Sequence, residues 1–147
     1  MRALLVLLAA LAASPAAAQL RPFSCVGVEQ LEEEAVVITF VRDSDRVGNA
    51  ALELLAPFVA AARAEPQRNI CVLGFAGPDE GGAETQSRLA ARRARVVALE
   101  LAKLGIERDR VRAEARTRGF SARRGPGGVE RRYAVRLVLL PAERDPS

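Results

Sequence analysis

The chain has no histidine and no tryptophan, and only two cysteines among its 147 residues. Without imidazole, and with neither cysteine close to a second one, zinc sites and imidazole acid–base chemistry are excluded. No candidate nucleophile stands beside a base, so the sequence predicts no enzyme, no metal and no cofactor. Aromatic residues make up only 4% of the chain, and the 22 Lys and Arg exceed the 18 Asp and Glu by a small margin spread along its length. Nucleic-acid binding needs clustered basic residues, often with stacking aromatics, and that signature is missing. Long apolar runs are also missing after residue 13, which leaves no membrane span once the first segment is removed.

That first segment is Met1-Arg2, an apolar run from Ala3 to Ala13, and Ser14-Pro15-Ala16-Ala17-Ala18. A basic start, a short apolar core and a small-x-small end read as a secretory signal peptide over residues 1–18, cleaved after Ala18. An uncleaved anchor is the alternative, although the run is short for a span. No cysteine follows the cleavage site, and Cys25 is preceded by Pro-Phe-Ser, so lipidation is not expected. Two cysteines in an exported chain invite a disulfide between Cys25 and Cys71, worth about 4 kcal/mol for a loop of this length. Two separate buried thiols are the other reading, since Cys71 lies in an apolar strand.

Residues 19–35 form an N-terminal arm that ends in the acidic run Glu32-Glu33-Glu34, read as a solvated strand entry. The remaining chain is long enough for one domain with one core, residues 36–140, followed by a frayed tail, 141–147. Ala35 to Phe40 is β-branched and reads as a strand. After a polar turn, Asn49 to Ala64 carries Leu52, Leu55, Val59 and Ala62 at helical spacing, with Pro57 expected to kink or split the helix. Arg110 to Arg116 alternates charged with small residues, so it reads as a strand with one wet face at or near an edge, its arginines solvated. Thr117 to Glu130, containing Arg123 and Arg124, reads as a loop, and Tyr133 to Leu140 as the last and most apolar strand.

The organising stretch is Ile70 to Ile106. Ile70 to Leu73 is apolar on both alternating faces, as expected of an interior strand, and ends at Gly74. A loop with four glycines and one proline between Gly74 and Gly82 leads into about five turns of helix. At 100° per residue, Ala90, Ala94, Val97, Leu101 and Leu104 fall within about 40° of one line and form the buried stripe. Arg88, Arg92 and Arg95 point away from it. Arg93 lies about 60° to its side, at the edge of the core, where its guanidinium either forks onto a ligand carboxylate at the loop mouth or joins a structural ion pair with Asp79 or Glu80. Gly105-Ile106 closes the helix as a glycine C-cap.

The order strand, helix, strand, helix, strand, strand (βαβαββ) predicts an α/β domain with a mixed sheet. A strand–helix–strand unit favours parallel neighbours, and the last two strands, joined by a loop, are expected to pair antiparallel.

The segments Gly74-Phe75-Ala76-Gly77-Pro78-Asp79, Leu89-Ala90-Ala91-Arg92-Arg93-Ala94 and Leu104-Gly105-Ile106 resemble the OmpA-like (MotB-type) peptidoglycan-binding domain, whose pattern is G-x-T-D, N-x-x-L-S-x-R-R-A and G-I. Phe40-Val41-Arg42-Asp43-Ser44 resembles its first strand and Asp-Ser turn, and Arg131-Arg132-Tyr133 the start of its last strand. The resemblance covers nearly all of the exported chain. It implies an α+β sandwich with helices packed on one face, in the periplasm or cell envelope of a Gram-negative bacterium. It also implies that an Asp and the second Arg of the helix motif hold the charged ends of diaminopimelate in the peptide stem. Arg93 matches that Arg, and Gln86 stands at the family's Asn, where it would brace the loop. Gly77 occupies the position of the Asp when counted from Gly74, while Asp79 is displaced by one residue when counted back from Arg93. Either the loop brings Asp79 to the site or the site lacks its carboxylate. An ordered Asp79–Arg93 contact around an open pocket would favour peptidoglycan as partner. A loop folded over the pocket would favour a module that engages other envelope proteins.

Overall fold

The computed structural model describes residues 21–31, 35–80, 83–116 and 134–142. The segment read as a signal peptide, Glu32 to Glu34, Arg123 and Arg124, Arg131 to Tyr133 and most of the tail lie outside them.

Four strands and two helices form the domain: β1 (Ala35–Thr39), α1 (Asn49–Ala64), β2 (Ile70–Gly74), α2 (Ala83–Lys103), β3 (Val111–Ala115) and β4 (Ala134–Leu139). The sheet is mixed, in the order β1-β4-β2-β3. β4 runs antiparallel to both β1 and β2, and β3 runs parallel to β2. Two expectations about neighbours therefore fail. β1 and β2 are separated by β4, and β3 does not pair with β4. Apolar content explains the order: β2 is buried at all five positions and β4 at five of six, so both need strands on either side and cover on both faces. The half-wet β1 and β3 take the edges.

Both helices pack on one face of the sheet. Ile38, Ile70, Val72, Val135 and Leu137 from the strands join Leu55, Phe58, Val59, Ala94, Val97 and Leu101 from the helices in the main core. α1 is one continuous helix through Pro57. Glu53 and Pro57 are both exposed, so the carbonyl that Pro57 cannot serve faces water. Its apolar stripe turns toward Phe58, and Leu52, expected on the buried face, is left 37% exposed in the first turn. α2 ends in a Schellman arrangement, with the Ile106 amide donating to Leu101 and that of Gly105 (φ 88°) to Ala102.

The opposite face of β2 is covered by the N-terminal arm. Cys25, Val28, Cys71, Leu73, Phe75 and Val138 form a second, smaller core. Cys25 and Cys71 are disulfide-bonded, with Cα atoms 5.8 Å apart.

The arginines flanking β3 are not the solvated charges expected. Arg110 is fully buried, donating to the carbonyls of Ala62 (2.9 Å), Glu65 (2.9 Å) and Arg68 (2.8 Å), so it closes the C-terminal end of α1. Arg116 pairs with Glu29 and Glu114 and donates to the Cys25 carbonyl at 2.7 Å, tying the arm to the sheet. Arg112 stacks on the Phe23 ring, 4.9 Å from its centroid. The Arg110 and Arg116 guanidiniums satisfy backbone carbonyls that would otherwise lose hydrogen bonds when the arm and loops pack down.

Two outcomes test these contacts. A Cβ on Gly74 would stand 2.0 Å from the Ala90 carbonyl oxygen of α2, so Gly74→Ala should lose about 3 kcal/mol or more in urea unfolding. An unchanged midpoint would mean that the helix can retreat from the strand. The denatured, unreduced protein should titrate no free thiols, and reduction should cost about 2–4 kcal/mol of stability.

Candidate functional site

Three segments converge where the glycine loop meets α2: the turn after β1, the loop after β2, and the third turn of the helix. The guanidinium of Arg93 joins them. Its Nε donates to the Ser44 carbonyl at 2.8 Å, Nη1 to the Phe75 carbonyl at 3.0 Å, and Nη2 to the Val41 carbonyl at 3.3 Å. The remaining donors form a fork on Glu80, with Nη1 to Oε2 at 2.9 Å and Nη2 to Oε1 at 2.5 Å. All five N–H groups of the side chain are thereby used. The guanidinium also stands 5.3 Å from the centroid of the Phe40 ring.

Glu80 is equally saturated. Besides the two bonds from Arg93, Oε1 accepts the Asp43 amide at 2.8 Å and Oε2 the Gly77 amide at 2.6 Å. Asp43 takes a left-handed conformation, φ 61°, which aspartate tolerates better than most residues and which places its amide toward the carboxylate. Both side chains of the pair are 0% exposed. Burial alone pushes the Glu80 carboxyl pKa up. The hydrogen bonds from Arg93, Asp43 and Gly77, together with the charge of Arg93, outweigh it and hold the group below its ordinary value.

The other candidates are placed differently. Asp79 does not meet Arg93. It faces solvent beside Arg42, whose Nε is 3.6 Å from its carboxylate and whose Nη2 donates to its carbonyl at 3.0 Å. Gln86 Nε2 donates to the Ala76 carbonyl at 2.9 Å and so ties α2 to the loop. Gly77 is buried, with its amide on Glu80. Arg92 lies outside, 3.2 Å from Asp45. Of the two partners that the sequence left open for Arg93, the structure selects Glu80. Helical spacing put Arg93 at the edge of the stripe, and the two overlying loops complete its burial.

Among the described residues there is no group of acidic and cysteine side chains that could hold a metal, and no helix long and apolar enough to cross a membrane. The arrangement is a closed ion pair with every lone pair and proton satisfied, a scheme that fixes loops to a helix.

The OmpA family model matches residues 39–132. No curated protein matches the chain. Solved structures similar to it include the OmpA-like domain of FopA1 from Francisella tularensis, at TM-score 0.60 and 17% identity, covering 75% of each chain. The peptidoglycan-associated lipoprotein from Burkholderia pseudomallei aligns at TM-score 0.58 and 23% identity over 71% of this chain and 87% of that one. The cell wall anchor of the T6SS from Pseudomonas aeruginosa aligns at TM-score 0.58 and 21% identity, over 73% and 81%. At these identities the likeness concerns the fold, a mixed four-stranded sheet with two helices.

Removing one member of a buried pair strands the other. Glu80→Gln and Arg93→Ala should each destabilise the domain by about 3–5 kcal/mol in denaturant titration. Because the folded pKa of Glu80 lies below its unfolded value, its contribution is complete above the ordinary carboxylate range. It is lost as pH falls through the folded value. The stability of the parent should therefore fall below about pH 4.3, and Glu80→Gln should show a smaller acid slope. Equal slopes for parent and variant would mean that Glu80 is not held as described.

Proposed function

The chain belongs to the OmpA family, and from that premise we propose that it is a non-catalytic domain of the Gram-negative cell envelope, serving as a structural and protein-interaction module. The observation that supports this reading is the saturation of Arg93. A diaminopimelate carboxylate would need the guanidinium fork, and that fork is on Glu80. The loop lies over Arg93, and Asp79, the residue placed to receive an ammonium group, is turned to Arg42. Export by residues 1–18, with an arm at 19–35 stapled to the sheet through Cys25, fits a domain that works outside the cytoplasm.

A second reading is favoured by the similar structures, which include a peptidoglycan-associated lipoprotein and a cell wall anchor. Here the peptide stem of peptidoglycan is the ligand. Its carboxylate replaces that of Glu80 on Arg93, and Asp79 and loop amides receive the ammonium end. The ligand must then offset the loss of four hydrogen bonds to Glu80, each charge-assisted and worth about 1.5–3 kcal/mol.

Co-sedimentation with purified diaminopimelate-type peptidoglycan separates the two. The module reading expects the folded protein to stay in the supernatant, and Glu80→Gln with it. Pelleting that a soluble diaminopimelate-containing muropeptide competes away would overturn that reading in favour of the second. An Arg93 variant alone would not suffice, since it also removes a structural pair.

A further inference from the structure

Beyond the loop site, α2 and β3 enclose a groove of about 280 Å³ on the helix face of the sheet. Its floor is apolar, built by Ala98 and Leu99 of the helix, Ile106 after it, and Val111 and Ala113 of the strand. Leu99 is 44% exposed. Two cations border it, Arg95 and Arg108, both exposed, and neither side chain has a hydrogen-bond or ion-pair partner among the described residues. Arg95 lies about two helical turns before Ala102, while Arg108 follows the helix end, so the two guanidiniums sit toward opposite ends of the groove.

The strand that forms one wall is an edge. β3 pairs only with β2 among the described residues. The Arg116 amide donates back to the Gly74 carbonyl at 2.8 Å, in line with the β2 pairing. Along a strand this orientation alternates, so Ala113 and Ala115 turn their amides and carbonyls outward, and Val111 its carbonyl, while the Val111 amide donates to the Arg108 carbonyl. Two of these three, Val111 and Ala113, also line the groove. The charges that would discourage strand addition, Arg112 and Glu114, belong to the other face, where Arg112 stacks on Phe23 and Glu114 pairs with Arg116. Open backbone, an apolar floor and free cations thus coincide on one side.

We propose that this groove docks an extended, acidic segment of a partner protein by strand addition to β3. The segment would carry an apolar side chain over Leu99 and Val111, with a carboxylate two residues to each side on the same face, reaching Arg95 and Arg108. Side chains two residues apart share a face and stand about 6.6 Å apart, so the motif is acid-x-apolar-x-acid. Charge selects this occupant over the alternatives. A second copy of the chain would bring the same arginines to the contact, and the chain's own segment 117–133 carries five arginines and one acidic residue. The inference deepens the interaction-module reading and rests on it.

The test uses the full chain and fluorescein-labelled seven-residue peptides with Glu-Thr-Leu-Thr-Glu, Glu-Thr-Val-Thr-Glu or Glu-Thr-Phe-Thr-Glu at the centre, read by polarisation. Lys in place of Glu gives the control peptides. Saturable binding of at least one acidic peptide, absent for its control, is expected. It should weaken by about tenfold or more in the exposed double variant Arg95→Glu/Arg108→Glu and also on raising the salt. Ala113→Pro removes an outward amide without touching the β2 pairing, and should weaken binding comparably. No saturable binding by any of the peptides, or binding indifferent to both variants, overturns the proposal. So does a dimer in analytical ultracentrifugation that Ala113→Pro dissolves, since the edge would then serve a second copy. Peptide failure without wall sedimentation sinks the groove alone, whereas muropeptide-sensitive sedimentation sinks the module reading.

Discussion

The buried pair between Arg93 and Glu80 is the contact on which the remaining architecture depends. It joins segments that are far apart in the chain, since the guanidinium reaches carbonyls of the turn after β1 and of the loop after β2 from a position on α2. Neither loop has regular structure to satisfy its own backbone, and buried carbonyls without partners are costly. One guanidinium serves three of them and one carboxylate serves two amides. An apolar replacement of the pair could recover the desolvation cost, but it would leave four of those five backbone groups unpaired, the Val41 carbonyl alone keeping a second donor in the Ser44 amide. The pair therefore acts less as an attraction between two charges than as the common partner of two loops.

The same device recurs at the other end of the domain. Arg110 serves the carbonyls at the close of α1, and Arg68 donates to Leu139 at 3.1 Å and Leu140 at 2.6 Å. A chain poor in aromatics with a core of modest side chains leaves backbone carbonyls to be closed at the domain's ends. Arginine, with five donors on one planar group, is the most economical residue for closing them. This accounts for an arginine-rich composition without invoking a polyanionic partner. The two arginines that border the groove between α2 and β3 do not take part in this scheme, their side chains having no carbonyl or acid partner among the described residues.

Much of the fold was legible because periodicity reports burial. Of the stripe Ala90, Ala94, Val97, Leu101 and Leu104, the first four are buried and Leu104, past the helix end, is partly buried, and the unbroken apolar run of β2 marks a strand covered on both faces. The disulfide followed from compartment more than from spacing. Strand order was less legible: chain adjacency suggested pairing β3 with β4, whereas apolar content put β4 between β1 and β2. The partner of Arg93 was left between Asp79 and Glu80 because two neighbouring acids in a glycine loop differ only in where the loop directs them. The burial of Arg110 was not legible locally: an i,i+3 pairing with Glu107 is ordinary at a surface, and the three carbonyls that bury it lie more than forty residues away.

The loop itself decides what the site can do. Counting from Gly74 and from Arg93 gives registers that differ by one residue, and the structure resolves the difference by turning Glu80 inward and Asp79 outward. Gly77 has no side chain of its own, and the Glu80 carboxylate binds its amide. A carboxylate supplied from within is permanently at high effective concentration, so an external one competes against a partner that pays no translational entropy to bind. Unless the loop opens, the guanidinium fork cannot serve a ligand and the fold at once. A family arginine retained at its position can thus persist for the loops it holds, and its presence in the motif does not by itself make it a binding residue.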